Sequence, residues 1–290
     1  MCLLRFAGLV VFLSLSSPTF SSNSDPVDPI TPLCQPGCVP VTGFAQALGK
    51  VTNLANVRVI PVPYENIQAC NPGLAYIKTD AQGTYGFCYP KDQKITLFFE
   101  KRGYQTSQSA TINLGHKGTK AIGLYHNISY QAIDTVFLRV AERIAQYSAL
   151  TPPVVHHLDR NKCQVLITVT GLHKTLYDAP QGEPGVVVSL APEGHEQNTD
   201  NRYYDKLFYF REFMGKTIPI GGLKHTSKDG GVLIFNVKPG KYHVYGHKPG
   251  VKFRPLSFTC DPGLWHRFAP GEQVFINMSP PQGLQVVPAK

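Results

Sequence analysis

One pattern recurs at a fixed distance along this chain, and it constrains the fold more than any other feature. Thr79-Asp80-Ala81-Gln82-Gly83 leads into Tyr85 and Phe87, then Lys94-Ile95, Leu97 and Phe99, then Gly103-Tyr104. Thr226 and Gly230 lead into Val232 and Ile234, then Lys241-Tyr242, Val244 and Gly246, then Gly250-Val251, each 147 residues beyond its counterpart. Upstream, Asn56-Val57-Arg58-Val59 matches Gly185-Val186-Val187-Val188 at 129 residues, and Gln46-Ala47-Leu48 matches Gln164-Val165-Leu166 at 118. Such self-similarity predicts one module present twice, with longer loops in the second copy.

Within each copy apolar residues alternate, as at Val57 and Val59, at Ile95, Leu97 and Phe99, and at Tyr242 and Val244, which is the period of strands with one buried face. Asp80 to Gly83, Asp229-Gly230 and Pro239-Gly240 supply turns between them. The 26 glycines and 24 prolines agree with many short strands and exclude a coiled coil or helical bundle. With 42% hydrophobic and 16% charged residues, the chain has the apolar content of a packed protein rather than a disordered one. The expected fold class is mostly β, two two-layer sandwiches.

One stretch departs from this pattern. From Tyr130 to Tyr147, Ile133, Val136, Phe137, Val140, Ala141 and Ile144 recur at helical spacing with Arg139, Glu142 and Arg143 between them, which predicts one amphipathic helix. An extended linker follows from Ser148 to Asp159, containing Thr151-Pro152-Pro153 and His156-His157. The chain therefore divides into a first sandwich over 42–129, helix and linker over 130–159, and a second sandwich over 160–290.

Residues 1–22 carry Arg5 as their only charge, an apolar run from Phe6 to Leu15 and small residues through Ser21 and Ser22, the layout of a secretory signal peptide. Residues 23–41 form a Pro- and Cys-containing N-terminal segment, and no later stretch is apolar enough to span a membrane. The expected location is secreted, extracellular or periplasmic. Without Arg5, 27 basic residues stand against 19 acidic ones, a net charge of +8, with the cations scattered. That charge favours anionic partners but gives no nucleic-acid signature. Without Cys2 the cysteines number six, which in an exported chain predicts three disulfides. If bridges stay within modules, Cys163 pairs with Cys260. Cys34, Cys38, Cys70 and Cys88 pair among themselves in an order the sequence leaves open.

Thr-x-x-x-Gly before a strand, Lys238-Pro239-Gly240-Lys241-Tyr242, and the closing Gly103-Tyr104 and Pro249-Gly250 resemble carboxypeptidase regulatory-like domains, which are transthyretin-like (prealbumin-like) seven-stranded β-sandwiches. The resemblance covers about Thr42 to Leu114 and, less evenly, Cys163 to Asn277. The first copy departs from the family's turn, having Lys91-Asp92-Gln93-Lys94 where the second has proline and glycine. The resemblance implies two seven-stranded sandwiches, which the helix read from periodicity joins, in a family that supplies stalks, spacers and binding modules.

Spacings for common catalytic chemistry are missing, including His-Glu-x-x-His, Gly-x-Ser-x-Gly and Cys-x-x-Cys. His243 and His247 are the nearest metal candidates. On one strand, four residues at about 3.3 Å each hold their backbones roughly 13 Å apart, too far for one ion unless Gly246 bends the strand. His243, Tyr245 and His247 are instead expected to form an outward stripe. No metal, cofactor or catalytic residue is assigned. Asn127-Ile128-Ser129 and Asn277-Met278-Ser279 fit the glycosylation pattern, with Pro280 after the second.

The longest difference between copies is 18 extra residues between Val186 and Thr226, within an aromatic insertion spanning 193–225. It carries Arg202, Tyr203, Tyr204, Lys206, Phe208, Tyr209, Phe210, Arg211 and Phe213, the aromatics suited to stacking on sugars or anchoring a protein and the cations to bonding acidic groups. The competing reading packs them against the sandwich. Trp265, between Pro262 and Pro270, is a second surface candidate or a plug closing the sandwich. The expected function is a secreted, non-enzymatic binding module for an extracellular protein or glycan, anionic ones included. The alternatives are a metal-dependent or other enzyme with its site between the two domains, and a structural spacer.

Overall fold

The computed structural model describes residues 31–48, 52–121, 128–135, 139, 143, 158–174, 178, 180–195, 203–213, 216–278, 280 and 282–288. The first half runs β1 (Cys38–Ala47), β2 (Arg58–Val62), α1 (Glu65–Cys70), β3 (Ile77–Lys78), β4 (Thr84–Pro90), β5 (Lys94–Glu100), β6 (Ser107–Gln108), β7 (Ile112–Asn113) and β8 (Ile128–Ala132). The second runs β9 (Cys163–Thr170), β10 (Val187–Pro192), β11 (Lys206–Phe213), β12 (Lys216–Ile220), β13 (Gly231–Val237), β14 (Gly240–His247), β15 (Lys252–Arg254) and β16 (Leu256–Cys260). It closes with α2 (Pro262–Phe268), β17 (Val274–Met278) and β18 (Leu284–Val287). The protein is mostly β.

The repeat is visible in hydrogen bonds as well as in residue types. β13 begins and ends 147 residues after β4. The Thr79 hydroxyl accepts from Val57 N at 2.9 Å and donates to Leu54 O at 2.6 Å, and the Thr226 hydroxyl accepts from Val186 N and donates to Glu183 O at the same two distances. Each threonine thereby ties the segment before one strand to the turn before another. Gly83 and Gly230 end the two turns at φ 77° and 78°, in the left-handed region. A Cβ at Gly230 would stand 2.2 Å from Val169 O, and one at Gly83 2.8 Å from Ala45 O.

The match of Gln46 to Gln164 does not survive. Ala45 N bonds to Gly83 O and Val169 N to Gly230 O, both at 2.8 Å, so equivalent positions of β1 and β9 lie 124 residues apart and the counterpart of Gln46 is Thr170. Both strands are buried on both faces, which removes the alternation that would have marked their register.

In the first half β4-β1-β8 forms one layer, and β3-β2-β5-β6 with β7 the other. In the second half β10-β14-β16 forms one layer, and β12-β11-β13-β9-β17 the other. The halves are not simply beads on a helix, because β17 pairs in parallel with β9 and also, at Ile276 and Gln108, with β6. One sheet path therefore runs from β12 in the second half to β3 in the first.

The predicted helix begins later than expected. Tyr130 to Ala132 belong to β8, parallel to β1, and Tyr130 stacks on Phe99 at 4.7 Å and 3°. Pairing with β1 and the stacking of Tyr130 on Phe99 outweigh their helical spacing. Thr135, Arg139 and Arg143 are helical, while most of the helix and most of the linker, His156 and His157 included, lie outside the described residues, as does the expected signal peptide.

Three disulfides join Cys34 to Cys88, Cys38 to Cys70 and Cys163 to Cys260. Two of them hold the N-terminal segment and α1 against β1 and β4. The third spans 97 residues, a loop whose closure removes about 4–5 kcal/mol of unfolded-chain entropy in the loop model.

Candidate functional site

The aromatic segment is spent on the sheet. β11 pairs with β13 and with β12, so the segment is an inner strand and β12 takes the edge. Phe208, Tyr209 and Phe210 are all buried. Phe208 meets Phe235 edge-on at 5.5 Å, and the Tyr209 hydroxyl accepts from Val188 N at 3.0 Å, which fastens the hairpin to β10 in the opposite layer. Burial in turn raises the Tyr209 pKa. These three cannot offer a surface to a ligand, contrary to the expectation for them, because the strand is covered on both faces. Tyr203 and Tyr204 are half-buried and pack on the core, Lys206 is half-exposed, and Arg211 is exposed. Phe213 closes β11 opposite Lys216, and Arg202 lies outside the described residues.

Trp265 is likewise no surface residue. It sits on α2, a helix started by Pro262 and capped by Asp261, whose carboxylate accepts from Leu264 N at 2.9 Å. Its side chain is fully buried, 5.3 Å from Phe98 of the first half, and Phe268 lies 5.1 Å from the same ring. The tryptophan is a plug, placed at the junction of the halves.

That junction is dense. Gln108 donates to Thr259 O at 2.8 Å, Gln105 to Gln273 O at 3.1 Å, and Asn277 to Gln131 O at 2.7 Å. Gln282 accepts from Ser129 N at 3.0 Å, the Ser129 hydroxyl donates to Pro280 O, and Thr111 N donates to Ser257 O at 2.9 Å. Amides, hydroxyls and backbone bridge the two halves here. Asn277, one of the two sequon asparagines, is buried here with its amide nitrogen engaged, so it cannot carry a glycan in the folded state; Asn127 lies outside the described residues.

The outer face of β14 carries the remaining candidates. Tyr242 and Val244 point into the core as their period requires, leaving His243 and Tyr245 half-exposed and His247 exposed. His243 Nδ1 is 3.0 Å from the Ser257 hydroxyl on β16, and His247 Nε2 is 2.7 Å from the Ser189 hydroxyl on β10. Each imidazole is thus oriented by a neighbouring strand. The rings of His243 and Tyr245 are 6.2 Å apart and tilted by 42°. Among the described residues no group of three His, Cys, Asp or Glu is placed to hold a metal ion. The serine partners went unnoticed in the sequence, although the alternation of Leu256, Phe258 and Cys260 as core residues puts Ser257 and Thr259 on the outer side.

Lysines of the two halves meet beside this face. Lys94 and Lys241, equivalent positions of the repeat, each place Nζ 4.0 Å from the Glu193 carboxylate.

No family model matches the chain, and no curated protein matches it. Among solved structures it is similar to the Bacillus anthracis TIE protein (13% identity, TM-score 0.23), covering 83% of this chain and 32% of that one. A streptococcal ancillary pilin shows 12% identity and TM-score 0.21, over 88% of this chain and 64% of that one. GBS52, the minor pilin of Streptococcus agalactiae, shows 11% identity and TM-score 0.25, over 87% of this chain and 98% of that one. The chain thus spans about a third of the first and under two thirds of the second. Scores this low carry neither fold nor role.

Proposed function

We propose that this protein is an exported, non-catalytic binding module that displays a rigid two-sandwich surface to an extracellular protein or glycan. The observation that carries the reading is the junction: a sheet path running through both halves, backed by Trp265 and a set of buried amide bonds, holds the outer faces in fixed relation. Such preorganisation favours recognition because little order has to be gained on binding. Three disulfides support an oxidising compartment. The resemblance to carboxypeptidase regulatory-like, transthyretin-like sandwiches supports the same role.

A rigid spacer is the second reading, favoured by the same junction, and it predicts no ligand. Probing an array of glycans and extracellular proteins with the mature chain separates the two. Saturable binding to a defined array member supports the module, and an array without a ligand leaves the spacer. Because the aromatic strand is core, the informative variants are on the surface, and deletion of 202–213 is expected to unfold the second half.

A further inference from the structure

We infer that the outer face of β14 is the binding platform and that its ligand is an acidic oligosaccharide, an extended glycan bearing carboxylate or sulfate groups. This rests on the binding-module reading and names its site. Alternation along the strand turns Lys241, His243, Tyr245 and His247 outward, a row about 20 Å long at about 3.3 Å per residue, long enough for several sugar units.

Three rings and a lysine make up this row, bordered by serine and threonine hydroxyls and by the exposed Val187. The two imidazoles are held by Ser257 and Ser189, and Tyr245 lies between them, so the rings keep their orientation without a ligand. Aromatic rings offer an apolar face to the C–H side of a pyranose, while imidazole and serine groups at the borders match its hydroxyls. The geometry suits a flat, linear, hydroxyl-rich ligand better than a protein anchor, which needs a pocket.

Charge selects among glycans. The outward row of β14 contains no acid, and beside it Val187, Ser189, Ser257 and Thr259 are uncharged, leaving Glu193 next to Lys241 as the acid at its border. At one end Lys94 and Lys241 flank the single Glu193 carboxylate, and these lysine side chains are 68% and 70% exposed. Two ammonium groups against one carboxylate leave a cationic excess at the end of the row. A glycan carboxylate or sulfate there, with the sugar rings running over His243, Tyr245 and His247, satisfies both features.

The test measures binding of the full mature chain to hexamers of galacturonate, of chondroitin sulfate and of neutral maltose, with oligo-dT as a non-glycan polyanion. We expect saturable binding to one or both acidic hexamers, at least tenfold tighter than to the neutral hexamer or oligo-dT. Tyr245→Ala should weaken it at least tenfold and Tyr245→Phe little. The double variant Lys94→Gln/Lys241→Gln should weaken it severalfold and flatten its salt dependence. Arg58→Ala, on β2 of the first half, should leave it unchanged, and thermal unfolding of each variant controls for folding. Equal binding to oligo-dT or maltohexaose, or acidic binding that survives both Tyr245→Ala and the lysine double variant, overturns the inference. If the acidic hexamers do not bind while an array protein does, the inference fails and the binding-module reading stands; if nothing binds at all, both fail.

Discussion

The two halves make the same connection in different ways. Between β2 and β4 the chain forms α1 and the short β3, clamped by Cys38–Cys70; between β10 and β13 it forms the β11–β12 hairpin, which widens the sheet by two strands. Around these contrasting pieces the corner is unchanged, with Thr79 and Thr226 making the same bonds at the same distances. The corner is local and needs a hydroxyl and a glycine at fixed places. The connection differs, a disulfide-held helix and a two-residue strand in one half and two further sheet strands in the other. An aromatic-rich insertion can therefore be structural, its apolar residues buried within a sheet.

Substitutions at the junction and at the two corners should separate what the halves share from what they do not. Trp265→Ala empties the junction and should cost about 3–5 kcal/mol in denaturant unfolding. It should also separate one transition into two, since the ring joins α2 to Phe98; a loss confined to the second half would mean that the halves are not coupled through it. Gly230→Ala should cost about 3 kcal/mol, combining a left-handed backbone with a clash at Val169 O. Gly83→Ala should cost less, because its nearest backbone atom is 2.8 Å away rather than 2.2 Å. The reverse order would show the two corners to be less alike than their bonds.

Thr79→Val and Thr226→Val each strand a buried N–H and a carbonyl, and should cost about 2 kcal/mol apiece, equal within error. The mildest case is Asp229, which with Thr217 and Gly231 belongs to the second corner only. Burial, the largest cause, raises its pKa, against smaller lowering by the Gly231 amide and Thr217 hydroxyl. A raised folded-state pKa means that its stabilisation is complete below the ordinary carboxylate range and is lost as pH rises through the folded value. Asp229→Asn should therefore gain stability relative to the parent at neutral pH, with the gain shrinking towards pH 3. A flat difference across that range would remove the burial argument.

Much of the fold was legible because its marks are local. Thr79, Gly83, Thr226 and Gly230 are dictated by turn geometry, and Tyr242 and Val244 by an exposed outer face. The register of β1 against β9 was not legible, since strands buried on both faces carry no alternation and two glutamines look alike without being equivalent. Phe208, Tyr209 and Phe210 misled for the same reason, three consecutive apolar residues fitting a buried strand as well as a sticky loop. The outward stripe was readable from period alone. Its serine partners were half-readable, and the meeting of Lys94 with Lys241 depends on how the halves pack, which the sequence does not encode locally.

Differential scanning calorimetry of the intact, oxidised chain reads the coupling between the halves. If the halves form one unit, it will show a single transition whose calorimetric enthalpy equals the van't Hoff value. Two resolved transitions, or a calorimetric enthalpy near twice the van't Hoff value, would mean two independent sandwiches and contradict the rigid platform.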